Sequence, residues 1–195
     1  MSKKAVFLDR DGTLNEDPGY LSDPDQMFLL PEVGQALALL KKAGYLLIVV
    51  SNQSGVGRGL IDKDILPRIH EKLDELLTPW SVRLDHYILC FHHPKDECEC
   101  RKPKPKMLLD TASELGIDLS RSYMVGDKGS DLAAGNAAKC RGSILVRTGC
   151  GALTAAEVDQ NEAVYIGDTL LDVAQWILKQ PNHEGETWQQ AGRLT

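Results

Sequence analysis

Short apolar runs rich in β-branched residues alternate with amphipathic stretches along this chain. The runs are AVFL (5–8), LLIVV (46–50), HYILC (86–90), SYMVG (122–126), SILV (143–146) and AVYIG (163–167). Each is apolar at successive positions and too short for a helix, the pattern of a parallel strand buried on both faces. Between them the apolar residues recur every three or four positions. PEVGQALALLKKAG (31–44) opens on Pro, places Val33, Leu37 and Leu40 on one stripe and stops at Lys-Lys-Ala-Gly. Residues 62–77 begin at Asp62 and align Ile65, Ile69, Leu73, Leu76 and Leu77, and residues 105–117, 130–139 and 169–179 supply three further helices. This alternation predicts an α/β fold with an open, doubly wound, Rossmann-like parallel sheet.

A length of 195 residues suits one buried core and is short for two enzyme domains. Residues 1–179 are therefore expected to form a single domain. Residues 180–195, QPNHEGETWQQAGRLT, are polar and aperiodic and read as a mobile tail, in which Trp188 offers a large apolar group that could dock on the body. The 22 Lys and Arg against 28 Asp and Glu give a net charge of −6, which disfavours nucleic acid as a partner but leaves room for one small anion at a local basic patch. No apolar run is long enough to span a membrane, and MSKKAVFLD lacks the apolar core of a signal peptide. Five cysteines, three of them clustered with histidine, fit a metal site in a reducing compartment rather than a disulfide framework, so a cytoplasmic location is expected.

In a doubly wound sheet, ligands bind beyond the carboxyl ends of the strands. After the first strand, LDRDGTLN carries Asp9 and Asp11, which fall on the same side of an extended segment, with Gly12 free to turn the chain. An isolated Asp-Gly is an ordinary turn. A calcium loop is ruled out because its sixth and twelfth positions, counted from Asp9, are Leu14 and Tyr20 rather than Gly and Glu. After the second strand, SNQSG (51–55) offers a hydroxyl and two amides, which can bind phosphate oxygens or simply form a turn. After the fourth, VGDKGSD (125–131) places Asp127 where it can join Asp9 at a hard cation, with Lys128 beside it for an anionic substrate. IGDTLLD (166–172) is a rival match, but Asp168 before Thr169 reads as an acidic helix start.

CFHHPKDECECRKPKPK (90–106) contains a C-x-H…C-x-C set. Cys90, His92, Cys98 and Cys100 can each face one ion from extended chain, and four such ligands fill a tetrahedral Zn²⁺ shell. A filled shell has no open position, so this zinc is expected to be structural; His93 faces away. Arg101 and Lys102 follow at once, and these are the side chains that grip a phosphate and offset its charge. A zinc-binding interaction module without catalysis is the competing reading, but it gives the acids at the strand ends no purpose. A nucleic-acid finger would need a helix with paired His ligands, which is missing. Cys140 and Cys150 read as free thiols, His70 as a packing or surface residue, and RTGCG (147–151) receives no role.

FLDRDGTLN, VVSNQSG, CRKPKP and YMVGDK, in this order, resemble the motifs of the haloacid dehalogenase-like phosphohydrolases. Within them the resemblance is to the zinc-carrying group that holds heptose bisphosphatases and histidinol-phosphate phosphatases, and it covers roughly residues 4–178. The resemblance implies a haloacid dehalogenase-like fold, here with no large cap domain because only about sixteen residues separate Asn15 from Pro31, and a short zinc-stapled loop. It implies that Asp9 is the nucleophile and Asp11 the general acid and base. Mg²⁺ would be bound by Asp9, the Asp11 carbonyl and Asp127, and the phosphoryl oxygens by Ser51 and Lys102. It further implies substrate contacts at Asp17, Gly19, Tyr20, Asn52, Gln53, Ser54, Arg101 and Lys128. The partner would be a small sugar phosphate, with heptose 1,7-bisphosphate preferred and histidinol phosphate, suggested by the short DECEC loop, as the alternative. Members of the group are often monomers.

Overall fold

The structure, a computed structural model, describes residues 2–159 and 162–181. One parallel sheet contains β1 (Lys4–Leu8), β2 (Tyr45–Asn52), β3 (His86–Cys90), β4 (Tyr123–Gly126), β5 (Gly142–Val146) and β6 (Tyr165–Gly167), in spatial order β3-β2-β1-β4-β5-β6. The helices are α1 (Val33–Lys42), α2 (Ser54–Gly57), α3 (Leu66–Leu77), α4 (Lys106–Leu115), α5 (Gly129–Ala137), α6 (Gly151–Glu157) and α7 (Leu170–Lys179).

Strand alternation divides the core into two layers. Val6, Leu8, Leu47, Val49 and Val125 point to one face, where they meet Leu37 and Leu40 of α1, Leu73 of α3 and Ile177 of α7. Ala5, Phe7, Ile48, Val50 and Met124 point to the other, against Met107 and Leu108 of α4 and Ala134 of α5. Each such large aliphatic side chain contributes roughly 1.5–3 kcal/mol by leaving water. The six expected strands and five expected helices are all present within a few residues. The short helix α6 was not expected: GALTAAE has no apolar stripe, and its one large apolar side chain, Leu153, is 76% exposed. Residues 182–195 of the expected tail, Trp188 among them, lie outside the described residues.

The strand order reverses between β1 and β4, the place where such sheets open a crevice. There the Asp9 N–H donates to the Val125 carbonyl at 2.9 Å, so the first residue after β1 lies beside the end of β4. Residues 15–30 fold back as a short flap, with Glu16 N–H on Phe28 O (3.0 Å) and Leu30 N–H on Leu14 O (3.0 Å). Among the described residues no cap domain covers the strand ends, and no helix is long and apolar enough to cross a membrane.

His70 on α3 is a packing residue, as expected. Its ring stacks on Tyr87 of β3 (centroids 4.1 Å apart, planes at 12°), and its Nε2 is buried without a partner. Burial, followed by the Arg10 charge, lowers its pKa to about 4. The unfolded chain, with an ordinary histidine, binds the extra proton between roughly pH 4 and 6.5, so this residue makes stability fall as pH drops through that window. His70→Phe should remove that component. Urea unfolding should show the stability difference between pH 8 and pH 5 shrinking by about 1–2 kcal/mol relative to the parent; an unchanged difference would show that His70 does not titrate as described.

Candidate active site

Three loops after strands converge at the crevice. Lys102, which follows the cysteine loop, lies beneath it with its side chain 1% exposed. Its Nζ donates to Asp9 Oδ1 (2.8 Å) and to the Val50 carbonyl (2.6 Å), and Asp131 Oδ1 of α5 lies 2.7 Å away. Burial alone would lower the ammonium pKa, but Asp131 and Asp9 outweigh it and hold Lys102 above its ordinary range. Asp127, directly after β4, is fully buried; its Oδ2 accepts the Cys150 N–H (2.8 Å) while its Oδ1 accepts no hydrogen bond and has only Lys128 Nζ at 3.8 Å. Burial raises Asp127 to about 6 despite the Cys150 N–H and Lys128, and burial likewise raises Asp131 to about 6 despite Lys102.

Asp9, Asp127 and Asp131 bring carboxylate oxygens within 4.8 Å of one another. Three carboxylates face one fully buried ammonium, Lys102, and a half-exposed one, Lys128, whose Nζ lies 3.8 Å from Asp127 Oδ1, so the cluster stays net negative. An all-oxygen donor set with this charge and an orphaned buried carboxylate oxygen fits a hard divalent cation. Gly12, at φ +86°, turns the chain against this cluster, and any Cβ there would run into the Asp127 carboxylate.

Asp11 is held from four sides. Arg10, a fully buried cation, donates through Nε to Asp11 Oδ1 (2.9 Å) and through Nη2 to Oδ2 (2.8 Å). Asn15 Nδ2 donates to Oδ1 (3.0 Å) and Gln53 Nε2 to Oδ2 (2.9 Å). Burial pushes the Asp11 pKa up, but the Arg10 charge and these hydrogen bonds outweigh it and keep the group below the usual carboxylate range.

Above these residues lies a cleft of about 330 Å³ lined by Asp9, Asp11, Asp17, Gly19, Tyr20, Ser51, Asn52, Ser54, Arg101, Lys102, Lys128, Ser130 and Asp131. Seven of the eight expected substrate contacts are in that lining; Gln53 is behind it, 4% exposed, donating to Asp11 and to Ser51 Oγ (2.9 Å). Asn52 lines the cleft but spends its amide on the Lys102 backbone, giving Nδ2 to the carbonyl (3.0 Å) and taking the N–H (3.1 Å). Lys128 Nζ lies 3.4 Å from Asp17 Oδ2, so two expected contacts pair across the opening. Asp168, the rival acid, is far more exposed (side chain 81%) and pairs with Arg147, while Thr169 caps α7.

The cysteine loop gathers its four expected ligands. Sγ of Cys90 lies 3.1 Å from that of Cys100 and 3.6 Å from that of Cys98, Cys98 and Cys100 are 3.6 Å apart, and His92 Nδ1 is 3.2 Å from Cys100. A tetrahedral zinc thiolate shell has edges of roughly 3.8 Å, so the cluster has the right size and donor set. Burial and then the Cys100 thiol push Cys90 up to about 12, so a cation at the centre is what would keep it a thiolate. His93 instead accepts the Lys95 N–H and caps a short turn.

The comparisons agree with this geometry. Residues 99–173 match the HAD-hydrolase-like family profile. D-glycero-beta-D-manno-heptose-1,7-bisphosphate 7-phosphatase of Pasteurella multocida is 42% identical over 90% of this chain and 97% of its own length. The Escherichia coli K12 protein of the same name is 41% identical over 92% and 96%. The chain belongs to the heptose bisphosphatase family of HAD-like hydrolases. A family member of known structure, the D,D-heptose 1,7-bisphosphate phosphatase of B. bronchiseptica complexed with magnesium and phosphate, superposes with a TM-score of 0.85 at 37% identity, covering 91% of this chain and 99% of its own.

Against that family background, three features of the HAD-like site were absent from the sequence expectations. Asp131 was passed over, although it stands one helical turn after Asp127, where it also caps the start of α5 by accepting the Lys128 N–H (3.1 Å). Arg10 lay inside the quoted motif without a role. The RTGCG loop and the helix α6 that follows it brace the site: Thr148 Oγ1 donates to the Gly12 carbonyl (2.7 Å) and Thr154 Oγ1 of α6 to the Asp127 carbonyl (2.9 Å).

A Cys98→Ser, Cys100→Ser double variant should lose its zinc, falling from about one ion per chain to none in metal analysis. Stoichiometric zinc in that variant would overturn the four-ligand assignment.

Proposed function

We propose that this chain hydrolyses the C7 phosphate of D-glycero-β-D-manno-heptose 1,7-bisphosphate, releasing heptose 1-phosphate and inorganic phosphate. The observation that carries the reading is the convergence of Asp9, Lys102, Asp127 and Asp11 beneath one polar cleft; the relatives' names support the substrate. Asp9 attacks phosphorus, and the bond from phosphorus to the sugar oxygen breaks with its electron pair staying on that oxygen, which takes a proton from Asp11. The phosphoryl group is now carried on Asp9 as an acyl phosphate, a mixed anhydride. Water then attacks phosphorus, Asp11 takes the water's proton, and the Asp9 carboxylate is released.

Asp9, the Asp11 carbonyl and Asp127 would hold Mg²⁺, with Asp131 alongside. When bound, that ion supplies charge neutralisation between the nucleophile and the phosphate. Lys102 opposes the phosphoryl charge from below, and Ser51, whose Oγ accepts from Gln53, keeps its own proton to donate to a phosphoryl oxygen. Arg101 and Lys128 face the outer part of the ligand, which suits a second phosphate, and Asp17, Gly19, Tyr20, Asn52 and Ser54 face the sugar. Gln53 is reassigned from the substrate to Asp11. Zn²⁺ on Cys90, His92, Cys98 and Cys100 fixes the loop that ends in Arg101 and Lys102. Histidinol phosphate is disfavoured because the relatives named above act, by name, on the heptose ester. The unpaired thiol cluster suits a reducing, cytoplasmic setting, and the family resemblance suits a monomer built from one domain.

Asp9→Asn should lower Mg²⁺-dependent phosphate release by at least about 10³-fold with unfolding unchanged. For the parent, kcat/KM should be highest for the β-anomer of heptose 1,7-bisphosphate and lower by on the order of 10-fold or more for the α-anomer and for histidinol phosphate. A preference for histidinol phosphate would refute the substrate assignment.

A further inference from the structure

Arg10 is an arginine at 0% exposure whose neighbour in the chain is the acid–base candidate. A carboxylate offers about four lone-pair positions, and all four on Asp11 are taken, two per oxygen, by Arg10 Nε, Arg10 Nη2, Asn15 Nδ2 and Gln53 Nε2. A group so held has one orientation, yet it must carry a proton in the first step and accept one in the second, and on protonation at least one of the four donors has to withdraw. Arg10 is badly suited to do so, because it would be left as a buried, unpaired charge. The two neutral amides are better suited, and each has a second acceptor, Glu16 O at 2.7 Å for Asn15 Nδ2 and Ser51 Oγ at 2.9 Å for Gln53 Nε2. Gln53 is the one of the two that joins Asp11 to a hydroxyl of the cleft wall, and its Oε1 is anchored by Arg10 Nη2 at 3.1 Å.

We propose that Gln53 is a positioning residue for proton transfer: with Arg10 as a fixed anchor, its amide aims the Asp11 carboxyl at the leaving oxygen and ties that orientation to Ser51. This rests on the reading of Asp11 as general acid and base, and it removes Gln53 from the set of residues that touch the sugar. The amide also links Asp11 to Ser51, so orientation of the acid is tied to the hydroxyl that would meet the phosphate.

The need for a proton depends on the leaving group. An aryl oxide such as p-nitrophenolate departs unaided, whereas an alkoxide does not. The test is kcat/KM, which reports the step that expels the leaving group and not the later hydrolysis common to every ester, for the parent, Gln53→Met and Asp11→Asn across a series from p-nitrophenyl phosphate to alkyl phosphates, with Mg²⁺ present. Gln53→Met should lose less than about 3-fold in kcat/KM on p-nitrophenyl phosphate and on the order of 10–100-fold on the alkyl esters. Asp11→Asn should show a steeper trend of the same sign. A uniform loss across the series in Gln53→Met beside a steep Asp11→Asn trend would overturn the positioning role and leave the acid–base reading standing. A flat Asp11→Asn trend would overturn both. Gln53→Leu, which removes the donor without adding a charge beside Asp11, should repeat the Gln53→Met pattern and supplies the same comparison if the first variant does not fold.

Discussion

The site depends on a surplus of buried negative charge. Asp9, Asp127 and Asp131 are drawn together by the end of β1, the end of β4 and the first turn of α5, and the buried Lys102 among them, with Lys128 at the edge 3.8 Å from Asp127, leaves the cluster net negative. Burial already pushes Asp127 and Asp131 up to about 6. Three carboxylates held in this way would suit a divalent cation, which would supply the charge neutralisation that lets a phosphate approach. Lys102 bridges Asp9 and Asp131, and in the proposed reaction it would oppose the phosphoryl group.

That arrangement makes the cysteine loop part of the active site without making it catalytic. Lys102 is two residues past Cys100, and its backbone is held on the other side by the Asn52 amide at the end of β2. The zinc shell and the Asn52 clasp thus fix one lysine from two directions, which is the degree of constraint a short loop needs to place an ammonium between two carboxylates. On the opposite wall, Thr148 and Thr154 brace Gly12 and Asp127 through their carbonyls. Little of the cleft is left to mobile side chains except at its mouth, where Lys128 and Asp17 pair.

Most of the fold was legible because parallel strands buried on both faces leave a strong apolar signal and the helices carry clean stripes. The strand ends were legible for the same reason, which is how Asp9, Asp11, Ser51, Asp127 and the cysteine set came to be singled out. What escaped lies where one residue does two jobs. Asp131 looks like a helix cap and is one, yet the same carboxylate sits on Lys102. Gln53 stands in a loop beside Ser51 and Ser54, both in the cleft wall, but its side chain turns inward to Asp11, a direction that sequence spacing does not encode. Arg10 alternates away from Asp9 and Asp11, so its path beneath the sheet end to reach its own neighbour is a tertiary fact. Helix α6 is held by its contacts to Asp127 and not by an apolar face, so periodicity had nothing to detect.

The central claim is that Asp9 becomes covalently phosphorylated, and it can be read directly. Enzyme mixed with heptose 1,7-bisphosphate and Mg²⁺, quenched within a turnover, reduced with borohydride and digested should yield a peptide in which the residue at position 9 has become homoserine, the product of reducing an acyl phosphate. Reduction at any other acid, or turnover with no reducible adduct on Asp9, would contradict the account.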